Sequence, residues 1–136
     1  MAVIDANVYI ALVHAHEPDH ARSWTWFERA LASEESIRAP VILLAEVAAA
    51  FSRGVGDHEL ARQVVQQLAR SRTIELVPVG LTLAEHAASI AADHRIRGCD
   101  AVYVALAEQL NECLVTLDEQ QLERGAAAAV TCRPGE

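Results

Sequence analysis

The sequence predicts one α/β domain with a three-layer arrangement, in which helices flank a short central parallel sheet of four or five strands. Two observations lead to this fold class. Short apolar runs, each long enough for one buried strand, alternate with longer segments of helical periodicity. Such continuous apolar runs are typical of parallel sheets, because helices cover both faces of them. The length of 136 residues fits a single domain over residues 1–136.

The chain is expected to begin with a strand and two helices. The apolar run over residues 1–5 predicts a buried strand, and an apolar helix follows to residue 15. Asp19 is a candidate N-cap for the next helix, over residues 20–32.

A second strand and two further helices complete the first half. The strand is expected over residues 36–39, and Pro40 suits the first turn of a helix that runs to about residue 53. Asp57 follows a glycine-containing break and can cap a helix over residues 58–70.

The second half repeats the alternation. Residues 73–78 predict the third strand. Thr82 and Glu85 have the spacing of a capping box, which would open a helix that lasts to about Arg95. The remaining predicted elements are a helix over 100–111, a strand over 113–117, a short helix over 119–124 and a last strand over 129–132.

Composition limits the classes of function. The net charge is −8 and all 11 basic residues are arginine. Acidity normally argues against a polyanionic ligand, but carboxylates that hold a metal should be discounted from the charge that faces a nucleic acid. Arginine also keeps bidentate phosphate recognition available. The charge therefore leaves nucleic-acid binding open.

The sequence predicts a cytoplasmic protein that does not contact a membrane. No apolar run reaches the roughly 18 residues of a membrane span. The N-terminus lacks the basic region and cleavage site of an export signal. Cys99, Cys113 and Cys132 share no Cys-x-x-Cys spacing, which argues against a disulfide framework and a structural zinc site, so reduced thiols are expected.

Four acidic residues lie inside, or at the edge of, apolar runs: Asp5, Glu46, Asp100 and Asp118. Burial of an unpaired carboxylate is unfavourable by several kcal/mol, or forces its protonation, so a shared divalent cation is the simplest compensation. Asp5 and Asp118 close predicted strands, and ligands of open parallel sheets bind at that edge. Hard cations such as Mg2+ prefer oxygen ligands, which makes Mg2+ the expected ion and Mn2+ a plausible substitute.

Each acid also has a simpler interpretation. Asp5, Asp100 and Asp118 each stand where a helix is predicted to start, and an aspartate N-cap contributes about 1 kcal/mol. Glu46 is consistent with an ordinary exposed helix position. These alternatives stay open at the level of the sequence.

The sequence resembles the PIN-domain ribonucleases, and among them the VapC-type toxins of toxin–antitoxin pairs. Four segments carry the resemblance and span nearly the whole chain: VIDANV over 3–8, LAEV over 44–47, CDAVYVALA over 99–107 and LVTLD over 114–118. The resemblance implies a PIN fold and a Mg2+- or Mn2+-dependent site that hydrolyses RNA and leaves 5′-phosphate and 3′-hydroxyl ends.

The resemblance also implies roles for individual residues. Asp5, Glu46, Asp100 and Asp118 match the catalytic, metal-binding quartet of the family, and they would position one or two ions. Asn7 and Thr116 match polar positions that support the quartet. Leu117 stands where many relatives have a polar residue, which makes Asp118 the least firmly assigned ligand.

The expected partners are an RNA substrate, a cognate antitoxin protein over the acidic cleft and a second copy of the chain in a homodimer. Two alternatives remain: a catalytically silent PIN-like binding or assembly module, and a DNA-directed or housekeeping RNA-processing nuclease. Two arginine pairs could contact phosphates, Arg70 with Arg72 and Arg95 with Arg97, although arginine near a helix C-terminus also complements the helix dipole. Arg97 is the better RNA candidate because it directly precedes the turn into Asp100.

Overall fold

Five parallel strands form one sheet in the computed structural model, which describes residues 1–136. The order across the sheet is β3-β2-β1-β4-β5, so the first strand lies in the middle. All four pairings are parallel, as predicted. The strands are β1 (Ala2–Ile4), β2 (Ile37–Pro40), β3 (Ile74–Val77), β4 (Cys113–Val115) and β5 (Thr131–Cys132).

Seven α-helices connect and flank the strands. None of them has the length and apolar composition needed to cross a membrane. The helices are α1 (Ala6–Val13), α2 (His20–Ala32), α3 (Leu43–Ala49), α4 (His58–Ala69), α5 (Leu81–His94), α6 (Gly98–Leu110) and α7 (Glu119–Arg124). A π-helical segment over Ala50–Val55 continues α3, and a 3-10 turn over Gly125–Ala127 follows α7.

The core is centred on β1 and α6. Every residue of β1 is buried, and residues 103–107 of α6 are buried on all sides of the helix. This explains why both segments read as continuous apolar runs. Helix α6 packs on β1, β2 and β4, whereas α1 packs against α2 and α3. These contacts place α1, α3 and α6 around the carboxyl end of β1.

Pro40 ends β2 and does not start a helix as predicted. It pairs with Val77 of β3, and the amide of Val41 continues that ladder by donating to the carbonyl of Val77 over 2.9 Å. Proline lacks the amide hydrogen that a strand flanked on both sides needs. The position tolerates proline because the pairing of β2 with β1 extends only to Arg38. Helix α3 starts at Leu43 instead.

Two other helix starts also differ from the predictions. Helix α5 begins at Leu81 after Gly80, so Thr82 lies inside the first turn and makes no cap. Helix α6 begins at Gly98 with Arg97 at the N-cap position, so Asp100 lies in the first turn. The reason is that Arg95 adopts a left-handed conformation, which ends α5 and lets the chain turn within two residues.

The three cysteines are free thiols. The Sγ atoms of Cys113 and Cys132 nevertheless lie 2.7 Å apart, because β4 and β5 are adjacent strands. Spacing along the chain did not indicate this proximity, since 18 residues separate the two positions.

Candidate active site

The carboxyl ends of β1 and β4 bring the first and last predicted site segments together. Asp5 directly follows β1, and its backbone amide donates to the carbonyl of Val115 over 2.9 Å. Thr116 directly follows β4, and Asp118 lies two residues further on. Because β1 and β4 are parallel neighbours, the two segments emerge at the same edge of the sheet.

Asp5 is buried, with 4% of its surface exposed, and is fixed by hydrogen bonds to both oxygens. Its Oδ1 accepts from the amide of Ala6 over 2.8 Å, which caps α1. Its Oδ2 accepts from the Thr116 hydroxyl over 2.8 Å and from Nδ2 of Asn7 over 3.4 Å. These contacts hold the carboxylate in one orientation.

Asn7 and Thr116 connect α1 to the loop after β4. Asn7 Nδ2 donates to Thr116 Oγ1 over 3.3 Å, and its Oδ1 accepts from the amide of Leu117 over 3.1 Å. Thr116 Oγ1 also accepts from the amide of Asp118 over 3.1 Å. The two residues that the family resemblance assigns to a supporting role therefore lie between the two aspartates.

Glu46 approaches the site from α3 and is half-buried. Its Oε1 accepts a 2.6 Å hydrogen bond from the hydroxyl of Tyr103, a fully buried residue of α6. The alternative of a simple exposed helix residue does not describe Glu46, because its carboxylate contacts another helix.

Asp100 occupies the first turn of α6 and pairs with a neighbouring arginine. Arg97 Nε donates to Asp100 Oδ2 over 2.8 Å, while 78% of the Arg97 side chain is exposed and 14% of the Asp100 side chain. The backbone carbonyl of Asp100 accepts from Gln121 Nε2 over 2.9 Å, which joins α6 to α7.

Asp118 acts as the N-cap of α7. Its Oδ1 accepts from the amides of Gln120 over 2.8 Å and of Gln121 over 3.3 Å. The capping alternative is therefore observed for Asp118, as it is for Asp5. For Asp118 the cap involves one oxygen, and the geometry leaves its metal-binding role a prediction.

Electrostatic coupling shows which acids share one environment. Burial raises the pKa of Asp5 from 3.8 to about 6, and the charges of Asp100 and Glu46 raise it as well, against hydrogen bonds that lower it. Burial also raises the pKa of Glu46, with Asp100 adding to the effect and the Tyr103 hydrogen bond opposing it. The charge of Asp100 therefore acts on both Asp5 and Glu46, which places the three carboxylates in one environment.

Arg97 is the cation that acts on this group. Its pKa is raised by the bond to Asp100, and the charges of Asp118 and Glu46 raise it further. In turn Arg97 lowers the pKa of Glu46. Asp118 is therefore linked to the other acids through Arg97.

The donor set suits a hard divalent cation, although the side chains do not form a ready-made cage. No group of three or more acidic, histidine or cysteine side chains is arranged to hold a metal ion. Each carboxylate instead bonds to a separate protein partner. The available atoms are carboxylate oxygens whose mutual repulsion a cation would relieve, and such oxygens are what Mg2+ and Mn2+ prefer.

Tyr103 and Gln121 belong to the site but were not predicted from the sequence. Tyr103 follows Asp100 by three residues on one helix, a spacing that places both side chains on the same face. That spacing could therefore have indicated Tyr103 as a site residue. Gln121 is buried and binds a backbone carbonyl of another helix, and no local pattern marks such a contact.

Comparison with known proteins identifies the family and the fold. A family model described as PIN domain matches residues 2–127. No curated protein sequence matches the chain. Among solved structures, VapC20 of Mycobacterium tuberculosis, a sarcin-ricin loop cleaving toxin, is 20% identical with a TM-score of 0.78, and the alignment covers 98% of this chain and 100% of that one.

Two further solved structures contain similar chains. VapBC2 of Rickettsia felis, bound to promoter DNA, is 14% identical with a TM-score of 0.74 and 97% coverage of each chain. FitAcB of Neisseria gonorrhoeae is 19% identical with a TM-score of 0.72 and 98% coverage of each chain. At these identities the structures show a shared fold along the full length.

Proposed function

The chain belongs to the PIN-domain family, and from this premise we propose that it is a metal-dependent endoribonuclease that serves as the toxin of a toxin–antitoxin pair. One observation carries the nuclease proposal: Asp5, Glu46 and Asp100 meet at the carboxyl edge of a parallel sheet, where Asp100 and Glu46 raise the pKa of Asp5 and Asp100 raises the pKa of Glu46. Evolution rarely retains such mutually unfavourable carboxylates without a function, and perturbed pKa values concentrate at reactive sites.

The residues that would hold Mg2+ or Mn2+ are Asp5, Glu46 and Asp100, with Asp118 as a fourth ligand. When bound, the ion would neutralise charge on the scissile phosphate and activate water for attack. With two metal ions, one would stabilise the attacking oxygen and the other the leaving oxygen. The same carboxylates could hold one ion or two.

The protein's own groups prepare this site. Thr116 and Asn7 keep the Asp5 carboxylate oriented, and the hydroxyl of Tyr103 stabilises ionised Glu46. Arg97 is largely exposed beside the acids, where its guanidinium can contact a phosphate. The family resemblance predicts products with 5′-phosphate and 3′-hydroxyl ends.

The toxin assignment is supported by the kind of protein that shares the fold over its whole length. VapC20 is a toxin, and a further neighbour with a TM-score of 0.67 and 16% identity comes from a toxin–antitoxin complex of Klebsiella pneumoniae. We extend this to a cognate antitoxin as partner, an RNA substrate and a homodimer. If a small reading frame lies directly upstream of the gene, its co-expression should relieve growth arrest caused by this chain.

Substitution of the acids tests the nuclease proposal. Asp5→Asn and Asp100→Asn should abolish Mg2+-dependent cleavage of RNA, with circular dichroism spectra unchanged. Asp93→Asn, a surface change on α5, should cleave like the wild type. Cleavage that survives both site substitutions contradicts the assignment.

Two further experiments test the alternative functions. A protein that Mg2+ stabilises but that cuts no RNA is a binding module. A substrate panel of tRNA, rRNA, mRNA and DNA separates a toxin from a processing nuclease.

A further inference from the structure

Arginines on this acidic chain differ in whether carboxylates neutralise them. Arg38 and Arg133 each bond to two glutamates. Arg95 and Arg124 are exposed and form no salt bridge. No carboxylate neutralises these two charges, so they can attract an anionic ligand although the chain has a net charge of −8.

These two arginines lie together and next to Arg97. Arg124, the last residue of α7, donates through Nη1 to the carbonyl of Arg95 over 2.7 Å. Arg95 precedes Arg97 by two residues in the loop between α5 and α6, and Arg97 bonds to Asp100. The three residues, which we name the arginine strip, lead from the carboxylates outward across the surface.

Arg95 occupies a position that disfavours its own side chain. Its φ and ψ angles are 54° and 44°, in the left-handed region that glycine adopts freely. Glycine is the usual residue where a helix ends in this conformation. An arginine at this point carries a charge at the expense of stability, which is a common property of functional surfaces.

The start of α6 adds hydrogen-bond donors beside the strip. No side chain caps this helix, so the first-turn amides of Gly98 and Cys99 have no protein partner. A side chain added at Gly98 would meet no heavy atom within 4 Å, so the approach is open. Free amides at the N-terminus of a 13-residue helix complement an anion that Arg97 attracts.

We propose that the arginine strip, Arg95, Arg97 and Arg124, binds the phosphodiester backbone of the RNA strand and guides it to the carboxylates. This inference rests on the proposed nuclease function and specifies how that site meets its substrate. RNA is favoured over an acidic protein segment because the strip ends at a group of acids suited to phosphate hydrolysis, next to free helix amides.

A binding assay without catalysis tests the strip. Anisotropy of a fluorescein-labelled single-stranded RNA in EDTA would give the affinity at several salt concentrations. The slope of log K against log [salt] is negative, and each contact to a single strand contributes about −0.7 to it. The triple variant Arg95→Gln, Arg97→Gln, Arg124→Gln should therefore make this slope less steep by about 2. The matched control is Arg62→Gln, Arg70→Gln, Arg72→Gln. It removes the same charge from α4 and from the loop between α4 and β3, and it should leave the slope unchanged.

Cys99 provides a native reporter at the same place. It is exposed in the first turn of α6, two residues from Arg97. Bound RNA should slow its alkylation by iodoacetamide at least threefold in the wild type, as measured by mass spectrometry of the peptide. The strip variant should lose this protection, and the control variant should keep it.

Three results would overturn the inference: a strip variant with an unchanged salt slope, an equal loss in the control variant, or displacement of RNA by polyglutamate at equal charge concentration. The last result would favour an acidic protein segment as occupant. The assay also separates the two proposals. Normal cleavage with unchanged binding by the strip variant rejects only the strip, whereas strip-dependent binding without Mg2+- or Mn2+-dependent cleavage rejects only the nuclease function.

Discussion

The hydroxyl of Tyr103 donates a 2.6 Å hydrogen bond to Oε1 of Glu46 and thereby joins α6 to α3 across the candidate active site. Tyr103 is fully buried, and the low polarity of its surroundings and the charge of Glu46 raise its pKa, so it remains protonated and can only donate to the carboxylate. Burial raises the pKa of Glu46, and the hydrogen bond from Tyr103 lowers it. Tyr103 therefore favours the ionised form of Glu46.

Tyr103→Phe should weaken Mn2+ binding by about 5- to 30-fold, since a hydrogen bond to a charged group contributes about 1–2 kcal/mol. Loss of the donor raises the pKa of Glu46 further, so that a proton competes with the ion. Titration calorimetry with Mn2+ at pH 7 measures the change. Tyr9→Phe is the matched control and should bind Mn2+ like the wild type, because Tyr9 is also buried but its pKa is raised by burial alone and not by a carboxylate. Equal affinities for the two variants would contradict the role of Tyr103.

Asp5 should make the metal-free protein less stable as pH rises. Its pKa is about 6 in the folded state against 3.8 ordinarily, so the folded state binds more protons between these values and stability falls through this range. The loss approaches about 3 kcal/mol, from about two pKa units at 1.36 kcal/mol each. Urea unfolding in EDTA from pH 4 to 8 would show it, and Asp5→Asn should flatten the curve. An unaltered pH dependence in Asp5→Asn would refute this account.

Removal of the Arg97 charge should tighten Mn2+ binding by about two- to fivefold. The guanidinium competes with the ion for Asp100, and exposed ion pairs of this kind contribute about 0.2–1 kcal/mol. Calorimetry on Arg97→Gln measures the gain. Arg95→Gln removes an equal charge from a residue that does not contact Asp100, so its Mn2+ affinity should stay close to that of the wild type. Weaker binding in Arg97→Gln would show that the arginine supports the ion and does not compete with it.

Arg95→Gly should stabilise the protein by about 0.5–1 kcal/mol while it weakens RNA binding. The gain arises because glycine adopts the left-handed backbone at this position without steric strain. Glu34→Gly is the matched control: Glu34 is also exposed and left-handed, with φ of 55°, so it should gain similar stability and keep RNA affinity. Thermal unfolding and RNA anisotropy on the two variants test both parts. A destabilised Arg95→Gly variant would contradict the strain argument.

Two substitutions at Asp118 separate its cap from a role as ligand. Asp118→Asn retains a good N-cap but loses the charge, whereas Asp118→Ala loses both and should destabilise the protein by about 1 kcal/mol. If Asp118 binds the ion, both variants lose Mn2+ affinity to a similar degree. If it only caps α7, Asp118→Asn binds Mn2+ like the wild type, and this outcome would remove Asp118 from the proposed ligands.

Much of the fold could be predicted from the sequence because the spacing of apolar residues indicates which faces of strands and helices are buried. The buried runs of β1 and α6 and the order of elements predicted a parallel sheet, and the five observed strands confirm it. The first residues of the helices were harder to predict from the sequence. Pro40 was misassigned because its tolerance in β2 depends on how far the neighbouring strand extends.

The same division applies to the candidate site. The sequence by itself determined which acids interrupt apolar runs, since the anomaly of a carboxylate among apolar residues is local. Only the tertiary structure decided their partners: Tyr103 for Glu46, Arg97 for Asp100 and the α7 amides for Asp118. Hydrogen bonds and charge coupling depend on distances of a few ångströms, and where residues lie far apart along the chain these distances are set by helix packing and strand register.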